Sequence, residues 1–96
     1  MAFVNVAIWK AAPGNSDRVR EILSEMVTCA RAEPGCLAYL VHESVEEHGL
    51  FLIYEQFRDR AAFDLHSASQ DFRRLVLEDA TPLLESRRRT LLTLIF

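Results

Sequence analysis

Glu33-Pro34-Gly35-Cys36-Leu37-Ala38-Tyr39, Leu52-Ile53-Tyr54-Glu55-Gln56-Phe57 and Ala61-Ala62-Phe63-Asp64-Leu65-His66 are the segments whose reading decides the fold. Pro34-Gly35 stops a helix and releases the chain into a strand. The second segment is a further apolar strand, and the third opens a helix after a short connection. One carboxylate, Glu55, then stands near the end of an apolar strand, and one imidazole, His66, on the helix that follows. No other stretch offers a base, an apolar wall and a short connection together.

Outward from that segment the elements fall in a simple order. Phe3 to Trp9 reads as a strand, ended by Pro13-Gly14. Ser16 and Asp17 are candidate caps for a helix whose apolar residues Val19, Ile22, Leu23, Met26, Val27 and Ala30 recur at offsets of three and four. Cys36–Ser44 and Leu50–Phe57 form a hairpin around Glu46-Glu47-His48-Gly49, where Gly49 supplies the positive φ. Asp59 caps a short helix through His66, and Ser69 caps another carrying Phe72, Leu75 and Val76. Pro82 bounds that helix, and Thr90 to Phe96 is the last strand. The pattern is β-α-β-β-α-β with the second helical region broken in two. It predicts an α+β, ferredoxin-like domain with an antiparallel sheet, and 96 residues make one such domain over 1–96.

Composition excludes several classes of function. Half the residues are apolar and 26% are charged, the balance of a globular domain. No run approaches the roughly 20 apolar residues of a membrane span. Met1 to Lys10 has no basic leader region, so no secretory signal is expected. Cys29 and Cys36 lack a CxxC spacing, which predicts a reducing, cytoplasmic setting and neither a disulfide scaffold nor a zinc site. A net charge of −3 argues against a nucleic-acid surface. Arg87-Arg88-Arg89 reads as a short solvated run. His42 and His48 show no metal-ligand spacing, and no metal is expected. No phosphate loop, nucleophile elbow or dinucleotide fingerprint offers a home to a nucleotide or flavin.

The strands are more apolar than half-exposed strands should be. Phe3-Val4-Asn5-Val6-Ala7-Ile8-Trp9 has six apolar residues in seven, and Thr90 to Phe96 is apolar on both faces. Helices in this order cover one face only, so a second copy is expected on the other, giving a homodimer. Phe3, Asn5, Ala7 and Trp9 share one face of the first strand and suit a cavity wall. Val4, Val6 and Ile8 share the other and suit the dimer core. On the third strand Glu55 shares a face with Phe51, Ile53 and Phe57, a costly position for a carboxylate without a partner. His66 is the nearest plausible one, and the pair would hold the imidazole in one tautomer. Arg58 or a backbone group is the alternative.

The order of elements, with Glu33 to Tyr39, Leu52 to Phe57 and Ala61 to His66, resembles the antibiotic biosynthesis monooxygenase family of small dimeric α+β barrels. The resemblance implies that two sheets close into a barrel with helices outside. It also implies oxidation of quinols and related phenols with dioxygen, without cofactor. His66 would be the catalytic base and Glu55 its orienting partner. Asn5, Trp9, Phe51, Phe57, Phe63 and Phe72 would bind the small aromatic substrate. A histidine near pKa 6.5 falls about 3.5 units short of a phenol near 10, or about 5 kcal/mol. A donor such as Asn5, the Trp9 ring N–H or a backbone amide must supply much of that.

Departures from the family narrow the reaction. The haem-degrading branch has Asn, Trp and His where this chain has Ala7, His66 and Val76, so no haem ligand is implied. The branch acting on polycyclic antibiotic precursors has Asn, Trp and Tyr where this chain has Ile53, Phe57 and Phe63. Asp71 stands near the place of a second His found in many members. Two alternatives remain: isomerisation of a small hydroxy-ketone phosphate, needing Arg73 or Arg74 turned inward, and a non-catalytic dimeric binding module.

Overall fold

The computed structural model describes residues 1–96. Its four strands are β1 (Phe3–Ala11), β2 (Cys36–Glu43), β3 (Leu50–Phe57) and β4 (Leu84–Thr93), in sheet order β2-β3-β1-β4. All three pairings are antiparallel, as the ferredoxin-like pattern requires. β1 is central, pairing with β3 from Phe3↔Phe57 to Lys10↔Leu50 and with β4 from Phe3↔Thr93 to Lys10↔Ser86. One face is covered by α1 (Ser16–Arg31), α2 (Arg60–Ser67) and a π-helix, Phe72–Ala80.

The core lies between that face and the helices. α1 buries Val19, Ile22, Leu23, Met26 and Ala30 in one stripe against Trp9, Ala11, Tyr39, Phe51 and Ile53 of the sheet. Each large apolar side chain so buried contributes about 1.5–3 kcal/mol. The helix starts differently from the expected Ser16 or Asp17 cap. Asn15 is the N-cap and makes no side-chain cap; its amide instead donates to the Leu83 carbonyl, tying the start of α1 to the turn before β4. Asp17 still favours the first turn through its negative charge.

The second helical region keeps both expected caps. Asp59 Oδ1 accepts from the Ala62 N–H at 2.9 Å, and Ser69 Oγ from the Phe72 N–H at 3.1 Å. From Phe72 the chain widens into π geometry, a rare form frequent at functional sites. The Thr81 hydroxyl donates to the Val76 carbonyl at 2.7 Å, and a short 3₁₀ turn, Thr81–Leu83, contains Pro82. Gly49 takes φ 83° before β3, as a side-chain-bearing residue rarely does.

The last strand corrects the Thr90–Phe96 expectation. β4 begins at Leu84, and Leu94 to Phe96 lie beyond it. Its first half, Leu84-Glu85-Ser86-Arg87-Arg88-Arg89, is too polar to show a strand signal. It forms because β1 offers a complete row of partners through Ala11↔Leu84, with a register shift at that end. The outer face of the sheet has no covering element. Val6 and Ile8 are half-buried there, while Leu40, Leu52 and Leu92 are 45%, 38% and 44% exposed.

Candidate active site

The register of the sheet builds the centre of the site. Asn5 on β1 pairs with Glu55 on β3, and their inward side chains meet: Asn5 Nδ2 donates to Glu55 Oε2 at 2.9 Å. α2 brings His66 behind the carboxylate, with Nε2 3.4 Å from Glu55 Oε1. On its other side, His66 Nδ1 lies 2.6 Å from Glu33 Oε1. Gly35 is part of the reason these elements meet. A Cβ there would collide with Ala62, so only glycine lets α2 approach the turn carrying Glu33. The imidazole is 1% exposed, enclosed by Phe57, Phe72 and Tyr39 with ring centroids 5.0, 5.5 and 5.9 Å away.

A cavity of about 350 Å³ opens between the sheet and the π-helix with α2, within the size range of small-molecule sites. Its apolar wall is Ala7, Trp9, Phe63, Phe72 and Val76. Asn5, Tyr39, Glu55 and Ser67 are its polar lining, and Arg87, Arg88 and Arg89 border it from β4. The expected residues divide accordingly. Asn5, Trp9, Glu55, Phe63 and Phe72 line the cavity. His66 is one layer behind, touching the cavity through Glu55. Phe51 belongs to the core under α1, and Phe57 packs behind His66 and Phe63, so neither forms the wall.

Tyr39, Ser67 and the three β4 arginines are lining residues that sequence reading missed. Alternation along β4, set by Trp9↔Arg87 and Ala7↔Arg89, turns both arginines to the helix side. The Arg87 guanidinium lies 6.0 Å from the Trp9 ring centroid and 5.8 Å from that of Phe72; Arg89 lies 5.9 Å from Phe63. The run therefore is not simply solvated, although both residues remain open to water. Arg73 and Arg74 stay on the outside, where Arg74 pairs with Glu25 and Asp71.

Electrostatics distinguish the groups. Burial pushes the Glu55 carboxyl above its ordinary value, while the neighbouring His66 and the Asn5 hydrogen bond pull it back. Burial, then the charge of Glu55, holds the Tyr39 phenol well above its usual range. Burial and the charge of Arg89 lower Arg87, which keeps its proton at any physiological pH. Within the protein, the buried Asn5 Oδ1, Glu55 Oε1, Trp9 Nε1 and His66 Nε2 have no hydrogen-bond partner, leaving two acceptors and one donor on residues that line the cavity.

The sequence profile of the antibiotic biosynthesis monooxygenase family matches residues 1–76, more than half of the chain. The chain belongs to this family. Its match spans Asn5, Trp9, Tyr39, Glu55 and His66, whereas the β4 arginines lie beyond it. Over 67 residues, 70% of the chain, it is 31% identical to sll1783 of Synechocystis sp. and 33% identical to Rv0793 of Mycobacterium tuberculosis. Those stretches span 46% and 65% of the two relatives, less than two thirds of either. In three dimensions it resembles PA3566 of Pseudomonas aeruginosa, with TM-score 0.91 and 30% identity over 99% of this chain and 95% of that one. The Rv0793 structure gives TM-score 0.91 and 27% identity, covering 100% and 97%. The monooxygenase-family fold thus extends through β4.

Proposed function

We propose that this protein is a cofactor-independent monooxygenase that oxidises a small quinol or phenol with dioxygen. The observation that supports this best is the line Glu55–His66–Glu33, which runs from the cavity wall to a Glu33 side chain 27% open to solvent. In this reading Glu55 removes the proton of the substrate hydroxyl, and His66 shares that proton and passes it outward. A carboxyl raised by burial is a better base than an ordinary one, because catalytic efficiency improves as the pKa nears working pH. An ordinary glutamate still lies about 6 units, or about 8 kcal/mol, below a phenol. The Trp9 N–H would stabilise the phenolate and supply part of the difference.

The phenolate then transfers one electron to dioxygen, and the resulting superoxide joins the ring radical to form the new C–O bond. Loss of water leaves a hydroxyquinone, so one quinol and one dioxygen give one hydroxyquinone and one water. The aromatic wall holds the ring and excludes water from the radical pair. The working unit in this proposal is a cytoplasmic homodimer, with the apolar outer sheet faces of two copies packed into a barrel. Oxygen uptake with a menadiol-type quinol tests the reaction. Proton exchange on a hydroxy-ketone phosphate without oxygen uptake would instead favour the isomerase, for which the β4 arginines supply the cationic patch that Arg73 and Arg74 do not.

A further inference from the structure

The arginines of the chain differ in what holds them. Arg18, Arg20, Arg58, Arg60 and Arg74 each have a carboxylate partner, and Arg31 donates to the Tyr39 carbonyl. Arg73, Arg87, Arg88 and Arg89 have neither, and of these only Arg87 and Arg89 lie against the faces of Trp9, Phe72 and Phe63. Stacking holds a guanidinium by its flat side and leaves its edge N–H groups free. The chain has 14 acidic residues, yet none forms an ion pair with Arg87 or Arg89, and Glu55 acts on Arg87 only through its charge. Glu55, the one carboxylate of the lining, lies at the inner end, where Asn5 donates to its Oε2 and His66 Nε2 is 3.4 Å from its Oε1.

We propose that Arg87 and Arg89 form an anion subsite, and that the ligand is an aromatic bearing a carboxylate meta to its reacting hydroxyl. The register gives the dimensions. Asn5↔Glu55 and Ala7↔Arg89 are rungs two residues apart on β1, about 7 Å along it, while Glu55 on β3 and Arg89 on β4 flank β1 about 10 Å apart across it. The Glu55 and Arg89 side chains line one cavity across that interval, where a substituted benzene ring places a hydroxyl at Glu55 while its carboxylate meets the guanidinium edges. A carboxylate accepts paired N–H bonds from arginine, and an aryl group suits walls made of Trp9, Phe63 and Phe72. The burial and mutual repulsion that lower Arg87 are relieved by such an anion. This inference rests on the cavity being the substrate site of the proposed oxidation.

Calorimetric titration under nitrogen with 2,5-dihydroxybenzoate and with hydroquinone tests it. The carboxylate is expected to bind at least about tenfold tighter, with an affinity that falls as salt is raised. Arg87→Gln with Arg89→Gln should abolish that preference while changing hydroquinone binding less than about twofold, and Arg87→Lys with Arg89→Lys should restore part of it. Equal binding of the two ligands by the natural protein overturns the subsite, whether or not the variants fold, as does a preference that survives loss of both arginines. Oxygen uptake separates this inference from the reaction beneath it. Equal oxidation of both compounds, without dependence on the arginines, removes the subsite and leaves the monooxygenase. Arginine-dependent binding without uptake from either removes the monooxygenase and leaves the subsite.

Discussion

Glu33 and His66 stand 33 residues apart in sequence and meet at 2.6 Å through Oε1 and Nδ1. When the Nδ1–H donates to Glu33, Nε2 of a neutral ring presents a lone pair to Glu55 at 3.4 Å. In the proposed relay a proton taken up by Glu55 passes to Nε2 across that gap. Glu33→Gln leaves the cavity wall unchanged but weakens the charge that fixes the tautomer. It should lower turnover by about 10- to 100-fold, less than loss of the cavity carboxylate, as for other partners that orient a functional imidazole. Steady-state kinetics would show the loss in kcat rather than KM, and a change confined to KM would contradict the relay.

The raised Glu55 carboxyl predicts two pH dependences. Turnover should rise with pH as Glu55 loses its proton, over a range above its ordinary value of 4.5. Stability should move the other way. A folded-state pKa above the unfolded one means that the native protein holds the proton more tightly, so stability falls as pH rises from the unfolded to the folded pKa. Glu55→Gln keeps the shape without the buried charge. Its melting temperature at pH 8 should equal or exceed that of the natural protein, and the difference should shrink toward pH 4. A variant markedly less stable at pH 8 would mean that the carboxylate is a net stabilising group.

Gly35 links stability to the site. The methyl group of Gly35→Ala would overlap Ala62 on α2, forcing that helix and His66 away from Glu33. A loss of about 1–3 kcal/mol is expected in denaturant unfolding, the usual range for overpacking. Activity of the folded fraction should fall as well. A fully stable and active variant would show that the approach of α2 to this turn is not needed.

The uncovered sheet face predicts the assembly. Ile8 and Leu52 are cross-strand partners on that face. Sedimentation of the natural protein should give twice the 11.0 kDa chain mass, and Ile8→Asp or Leu52→Asp should abolish the dimer. A monomeric natural protein at micromolar concentration would contradict the barrel.

Much of this was legible in the sequence because local signals agreed with tertiary packing. The α1 stripe, the Asp59 and Ser69 caps, the positive φ of Gly49 and the pairing of Glu55 with His66 all follow from residue type and spacing. Other features depended on contacts that spacing does not encode. Glu33 reaches His66 only because α2 folds back over the Gly35 turn. The arginines of β4 look like a solvated run because their strand is imposed by β1, and only its register turns Arg87 and Arg89 inward. Phe51 and Phe57 share a strand face with Glu55, yet α1 covers one and α2 the other. Alternation identifies a face but not which part of it a helix leaves open.

Initial rates of oxygen consumption with a menadiol-type quinol, measured from pH 5 to 9 for the natural protein and for Glu55→Gln, test the central claim most directly. The account predicts a rate that climbs with pH to a plateau in the natural protein. It predicts a loss of about 10²- to 10⁴-fold in the variant, the range for removal of a general base, with the pH-dependent rise gone. A Glu55→Gln protein that consumes oxygen at the natural rate with the same pH profile would contradict it.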